Sequence, residues 1–344
     1  MRFVVIGAGA IGGLVGGRLA QHGHDVAFVA RGRQLHALRS GGLRIVDPDG
    51  EAHVRVPTFA TSAEVGIGHD DVVLVCVKGP ETAGALTELA ACTEERVPIF
   101  CLQNGVENER LALRLFEQVY GVTVSVPATF LEPGIVGVYC APIAGILDIG
   151  RYPRGTDAMA EGVATAFGAS GFSSVVRADI MRWKWRKLMT NLTNAIEAIC
   201  GADARWGALA EMAVREAGAC LAAEGIDLAT PQEEAERRNG LQRMRAVCGQ
   251  QRPGGSSWQS LARATGSIET DMLNGEIVLL GRLHGIPTPV NAHLQVLSRR
   301  LAHASAAPGG LAEIEVLADA LAGLPAARST WGPDPAQPGR AVVW

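Results

Sequence analysis

Residues 2–6 form a short β-branched run, and the chain then enters Gly7-Ala8-Gly9-Ala10-Ile11-Gly12, a Gly-x-Gly-x-x-Gly turn that leaves it few ways to fold. Helix-forming residues follow over 14–21, a Gly23-His24 turn closes them, and a second apolar run covers 25–30. Strand, glycine turn, helix and strand in that order are the entry to a dinucleotide-binding βαβ unit. The three glycines serve different ends. Gly7 allows the tight turn, Gly9 lets backbone approach a diphosphate, and Gly12 lets helix pack close on sheet. The N–H groups that open the helix, with its macrodipole, favour the diphosphate's negative charge.

The second strand runs into Arg31-Gly32-Arg33, where an NAD-binding chain is expected to place an acid for the ribose hydroxyls. Arginine there can pair with a 2′-phosphate, which makes NADP (NADPH) the expected cofactor; the alternative is a solvated turn arginine.

At 344 residues the chain can hold two ordinary domains. With 48% hydrophobic and 19% charged residues and a net charge of -4, nothing recommends a nucleic-acid partner. The N-terminus does not read as a signal segment, and no apolar stretch reaches bilayer-spanning length, so a cytoplasmic protein that does not engage a membrane is expected. Seven cysteines show no C-x-x-C spacing and the eight histidines are dispersed. Both types read as structural, and no metal site is expected.

A helix over 34–39 precedes a hairpin, 43–46 and 53–56, around Asp47-Pro48-Asp49-Gly50. Continuous apolar runs at 71–77 and 98–102 read as strands buried on both faces of a parallel sheet. They end in Lys78-Gly79 and Gln103-Asn104-Gly105, at the strand ends where open α/β sheets bind ligands. Strands are expected at 122–128, 136–140, 146–149 and 172–176, with a helix at 158–167. From 179 the pattern turns helical, over 179–199, 205–223, 231–245, 257–284, 290–302 and 311–324. The fold class is α/β: a Rossmann-type dinucleotide-binding domain at 1–177, an all-helical substrate domain at 178–326 and an irregular tail at 327–344.

Within the first of those helices Lys187, Asn191 and Asn194 stand at i, i+4 and i+7, on one face. Spacing alone fits either a ligand-binding face or a surface lysine with solvated amides. Glu269, inside the helix expected over 257–284, reads by itself as an ordinary solvated acid.

The order of these motifs resembles the ketopantoate reductases (2-dehydropantoate 2-reductases), within the 6-phosphogluconate dehydrogenase-like C-terminal-domain superfamily. The marks are the glycine turn, Val77-Lys78, Leu102-Gln103-Asn104-Gly105, Trp185-Arg186-Lys187-Leu188 with Asn191, Ser256-Ser257, Glu269 with Asn274-Gly275, and the 285–291 segment Gly-Ile-Pro-Thr-Pro-Val-Asn. The resemblance implies NADPH-dependent reduction of a 2-oxo acid, foremost ketopantoate to pantoate for pantothenate synthesis. It implies Lys187 as general acid, Asn191, Asn194 and Ser257 on the substrate, and Glu269 positioning both lysine and ligand. The glycine turn, Arg31 and Lys78 would hold the cofactor, with Asn104 and the Ala128 backbone near nicotinamide and substrate. A homodimer is the implied assembly. The departures gather on the substrate side. Asn194 follows Lys187 by seven residues rather than eight, Ala202-Asp203-Ala204-Arg205-Trp206 occupies the region of a further asparagine, and Trp258-Gln259-Ser260 follows Ser257. A paralogous reductase of another 2-oxo acid or of an imine, or a non-catalytic NADP-binding sensor, are the alternatives.

Overall fold

The computed structural model describes residues 1–94 and 96–322. The expected tail at 327–344 lies outside the described residues, as does the end of the helix expected over 311–324.

The strands in chain order are β1 (Arg2–Ile6), β2 (Asp25–Val29), β3 (Leu43–Asp47), β4 (Gly50–Val54), β5 (Thr58–Phe59), β6 (Asp71–Val75), β7 (Ile99–Cys101), β8 (Val119–Ser125), β9 (Ala128–Thr129), β10 (Ile135–Val138), β11 (Cys140–Pro142), β12 (Ile146–Arg151) and β13 (Gln242–Met244). Seven of them form one sheet in the order β12-β8-β7-β6-β1-β2-β5. All its pairings are parallel except that of β12 with β8. Strand order reverses between β1 and β6, and the carboxyl ends of those two strands are where a doubly wound sheet opens a crevice.

The helices of this half are α1 (Ala10–Gln21), α2 (Gly32–Gly41), α3 (Ser62–Val65), α4 (Thr82–Ala90), α5 (Asn108–Leu113) and α6 (Ala158–Ala169). Alternate residues of the central strands feed opposite faces. Phe3, Val5, Val72 and Leu74 join a core with Leu14, Leu19 and Phe167 of α1 and α6, while Val4, Ile6, Val73 and Val75 join one with Leu86, Leu89 and Ala112 of α4 and α5. Burial on both faces is why these strands read as unbroken apolar runs.

The expected hairpin forms as β3 and β4, with Asp47 paired to Gly50 and the Asp49 N–H donating to Asp47 Oδ1 at 2.9 Å. The strand expected at 172–176 is reduced to two bridges, Ile146 with Ser173 and Ile149 with Val176.

The C-terminal half carries α7 (Ile180–Asn191), α8 (Thr193–Cys200), α9 (Ala208–Glu224), α10 (Pro231–Arg238), α11 (Ser256–Ala262), α12 (Asn274–His284), α13 (Pro289–His303) and α14 (Glu313–Leu321). Two expected helices are corrected. The one over 231–245 stops at Arg238, because Gly240 adopts φ +70°; the chain then extends as β13 and pairs antiparallel with β11 of the sheet half. The one over 257–284 breaks after α11, where Ala264 and Gly266 take φ +50° and +71°, and resumes through a 3₁₀ turn at Glu269–Met272 before α12. The 179–199 helix becomes α7 and α8, with Leu192 between them.

Buried Glu216 of α9 accepts the Val290 and Asn291 backbone N–H groups at 2.8 and 3.0 Å and so caps α13. Asn291 in turn bonds Asn274 at 3.0 Å. These two asparagines, prominent in the motif pattern, thus tie helices together. No helix among the described residues is long and apolar enough to cross a membrane.

Candidate active site

Between the carboxyl ends of the sheet and the helical half lies a cavity of about 670 Å³, within the range of roughly 300–1,000 Å³ typical of small-molecule sites. On the sheet side it is lined by Gly7, Ala8, Gly9, Ala10, Ile11, Arg31, Lys78, Asn104 and Ala128, and on the helical side by Lys187, Asn191, Asn194 and Glu269. Of the residues given a catalytic, substrate or cofactor role from the sequence, all line it except Gly12 and Ser257.

The glycine turn follows from local constraints. Gly7 sits at φ +96°, and a Cβ there would come within 2.8 Å of the Val77 nitrogen. At Gly12 a Cβ would lie 2.1 Å from the Gly7 carbonyl oxygen and 2.8 Å from Cys76 Cβ, so its absence is what seats α1 on the sheet. Gly9 is different: among the described residues no atom lies within 4 Å of where its Cβ would be, because that side is cavity. No side chain caps α1 at Gly9, which leaves its opening N–H groups for an anion.

Arg31, mostly exposed, ion-pairs with Glu88 of α4 at the rim. Lys78 donates to Ser260 of α11. Desolvation holds the Lys78 amine below the usual lysine range, opposed by the nearby Glu269 carboxylate. Glu269 Oε1 accepts the Gly79 N–H at 3.3 Å, so its hydrogen bond ties the 3₁₀ turn to the sheet half and does not reach Lys187. Asn104 leaves its buried Oδ1 without a partner.

On the other wall Lys187 makes no hydrogen bond or ion pair among the described residues. Its amine is brought down to about 7, first by desolvation and then by the charges of Arg238, Arg205 and Arg252, against the pull of Glu234. Asn191 is buried with Nδ2 unpartnered. Asn194 Oδ1 is engaged by Arg205 Nη2 at 3.3 Å. Ser257 is corrected: it is buried with an unpartnered hydroxyl and does not line the cavity, whereas the neighbouring Ser256 does, also with its hydroxyl unpartnered. The first turn of α11 sets Ser256 at the cavity and Ser257 in the protein interior.

Sequence reading missed Arg205, Arg238 and Arg252, all in the cavity wall, and the use made of Gln259 and Ser260. Gln259 donates to the Ala128 carbonyl at 3.2 Å and accepts the Phe130 N–H at 3.1 Å, while Ser260 receives Lys78. The segment that departs from the motif pattern therefore joins α11 to the sheet half. That departure was the available signal; Arg252 had none.

Comparison with known proteins places both halves together. Residues 3–153 match the model described as ketopantoate reductase PanE/ApbA, and 179–302 match that of its C-terminal part. A curated 2-dehydropantoate 2-reductase of Halobacterium salinarum is 35% identical over 309 residues, covering 87% of this chain and 98% of the relative. The crystal structure of a PanE/ApbA family ketopantoate reductase from Ralstonia eutropha superposes with a TM-score of 0.73 at 29% identity, over 89% of this chain and 99% of that one. D-mandelate dehydrogenase, solved with NADH and anilino(oxo)acetate, shares the fold at a TM-score of 0.75 and 21% identity, again over 89% and 99% of the two chains. The chain belongs to the ketopantoate reductase PanE/ApbA family, a family of oxidoreductases.

Proposed function

We propose that this protein reduces a 2-oxo acid to the 2-hydroxy acid with NADPH, that ketopantoate is the substrate, and that Lys187 is the general acid. The observation that carries the reading is Lys187 itself: an amine with no hydrogen-bond or ion-pair partner among the described residues, tuned to about 7, in the wall across from the glycine turn and Asn104. The residues present fit a dinucleotide. The open side of Gly9 admits a diphosphate, the uncapped start of α1 and Lys78 favour its charge, and Arg31 can exchange Glu88 for a 2′-phosphate. When bound, the reduced nicotinamide supplies the hydride.

The chain's own residues handle the rest. As the carbonyl carbon becomes tetrahedral, its oxygen gathers negative charge, and the Lys187 ammonium both stabilises that charge and delivers the proton. The unpartnered Asn191 Nδ2 and Asn104 Oδ1 are a donor and an acceptor held ready to orient the substrate. Glu269 holds the Gly79 backbone and faces Lys78, which keeps the cofactor side docked on the helical wall. One observation favours a second reading, reduction of a different 2-oxo acid: Arg205, in the region where the family carries an asparagine, lines the wall.

The test is oxidation of NADPH and of NADH with ketopantoate and a panel of 2-oxo acids, by wild type and Lys187→Ala. Turnover should fall by about 10²- to 10⁴-fold in the variant, with NADPH affinity unchanged. Equal turnover by the two proteins would rule out Lys187 as the acid, and a preference for another acid selects the second reading.

A further inference from the structure

We infer that Arg252 is the residue that grips the substrate's carboxylate. The inference rests on the reductase reading above and names how the acid is recognised.

Arg252 reaches the cavity by an unusual route. After α10 the chain crosses to the sheet half: β13 pairs with β11, Gln242 bonds Ser125 at 3.1 Å and Arg245 pairs with Asp49 at 2.6 Å. That strap then returns toward α11 and lays Arg252 in the wall beside Ser256.

The neighbouring cations are already committed: Arg31 to Glu88, Lys78 to Ser260, and Arg263 to the Gln259 carbonyl at 3.2 Å and to the Phe130 ring, 5.2 Å from its centroid. Arg205 is paired with Glu197 at 3.0 Å and also holds Asn194. Arg238 is paired with Glu234 at 2.7 Å. Lys187 serves the carbonyl oxygen. Arg252 has no carboxylate within 4 Å among the described residues. Its Nε is buried without a partner, and its one hydrogen bond is a long one, 3.4 Å from Nη2 to the Ala128 carbonyl.

The Glu197 carboxylate acts on Arg252 only from beyond ion-pairing distance and is itself held by Arg205 and the Gly255 N–H. A desolvated guanidinium with no carboxylate in contact is costly to hold, and a planar fork is matched by a carboxylate, which it binds through two parallel N–H···O bonds. In a 2-oxo acid the carboxylate is bonded directly to the carbonyl carbon, and the two cations of this wall left to receive the pair of groups are Arg252 and Lys187. The unpartnered Ser256 hydroxyl offers a further donor in the same wall.

The experiment compares wild type, Arg252→Gln and Arg252→Lys at saturating NADPH. The substrates are the 2-oxo acid that wild type turns over fastest and the uncharged primary amide of the same skeleton. KM for the acid should rise about 10- to 100-fold in Arg252→Gln, the loss of a charge-assisted hydrogen-bonded pair, with kcat within a few-fold of wild type. Arg252→Lys, which keeps the charge but loses the fork, should fall between. KM for the amide should barely move, so the wild-type preference for acid over amide collapses. Equal losses for acid and amide, or no loss for either, overturn the inference. A measurement on wild type alone guards against a variant that does not fold: the melting temperature of the NADPH complex should rise with the acid and much less with the amide, and equal rises overturn it. Should wild type turn over no 2-oxo acid, the reductase reading fails, and the acid-versus-amide melting shift still decides whether this wall selects a carboxylate.

Discussion

The Lys187 amine sits in a wall that strips it of water and holds Arg238, Arg205 and Arg252 close by, and both influences favour the neutral form until it titrates near 7. A general acid must enter the reaction protonated, so kcat/KM for reduction should fall as pH rises through about 7. The same depression bears on stability with a defined sign. Between about 7 and the ordinary lysine value of 10.5 the unfolded chain binds a proton that the folded chain does not, so this residue's contribution rises with pH across that window; below it, the full cost of the buried charge is present. Lys187→Met should therefore raise the urea midpoint at pH 6, and the gain should shrink as pH climbs toward 10, in an enzyme that has lost turnover. A midpoint shift independent of pH would mean the amine is not desolvated. At this scale the sequence was readable where function repeats a helical spacing: Lys187 and Asn191 stand one turn apart and both reach the cavity. Arg252 was not readable, because its position is set by a β13–β11 pairing between segments about a hundred residues apart.

The first βαβ unit separates two uses of glycine that a motif pattern merges. A methyl at Gly12 would strike the Gly7 carbonyl oxygen at 2.1 Å, a backbone atom with nowhere to go, whereas a methyl at Gly9 would meet only cavity. Gly12→Ala should destabilise the fold by about 1–3 kcal/mol, as forced overpacking does, or prevent its accumulation. Gly9→Ala should keep the wild-type melting temperature and lose NADPH affinity, because its methyl occupies the space the diphosphate needs. Melting curves with and without NADPH distinguish the two; a destabilised Gly9→Ala would show that the turn is packed more tightly than the structure has it. Elements whose burial is symmetrical, such as β1, β6 and β7, announced themselves as apolar runs. The helices expected over 231–245 and 257–284 did not survive as drawn. Their interruptions, at Gly240 and at Ala264 to Gly266, trade local helix for contacts with the other half of the molecule: β13 on β11, and Glu269 on Gly79. Periodicity cannot report such contacts, since it measures only how a segment would bury itself alone.

At the scale of the molecule, the cavity lies between two walls, and buried ion pairs join the halves that carry them. Asp148 of β12 accepts Arg177 at 2.8 Å and Arg237 of α10 at 2.6 Å, pinning the helix that precedes the strap to the sheet. Deeper still, Lys184 of α7 donates to Glu109 of α5 and, at 3.0 Å, to the Gln103 carbonyl beside Asn104. Lys184 lies one turn before Leu188 on the helix that carries Lys187, so the buried pair fixes that helix against the loop that carries Asn104. Buried pairs are asymmetric in energy: removing one partner strands the other, at about 3–5 kcal/mol, whereas replacing both with apolar side chains of similar volume is often close to neutral. Lys184→Met alone should thus lower the unfolding free energy by about that amount, and Lys184→Met with Glu109→Met should recover most of it, short of the lost bond to the Gln103 carbonyl. Urea titrations of the three proteins measure both changes. Equal destabilisation in the single and double variants would show that the pair is held by packing around it rather than by the charge each supplies to the other.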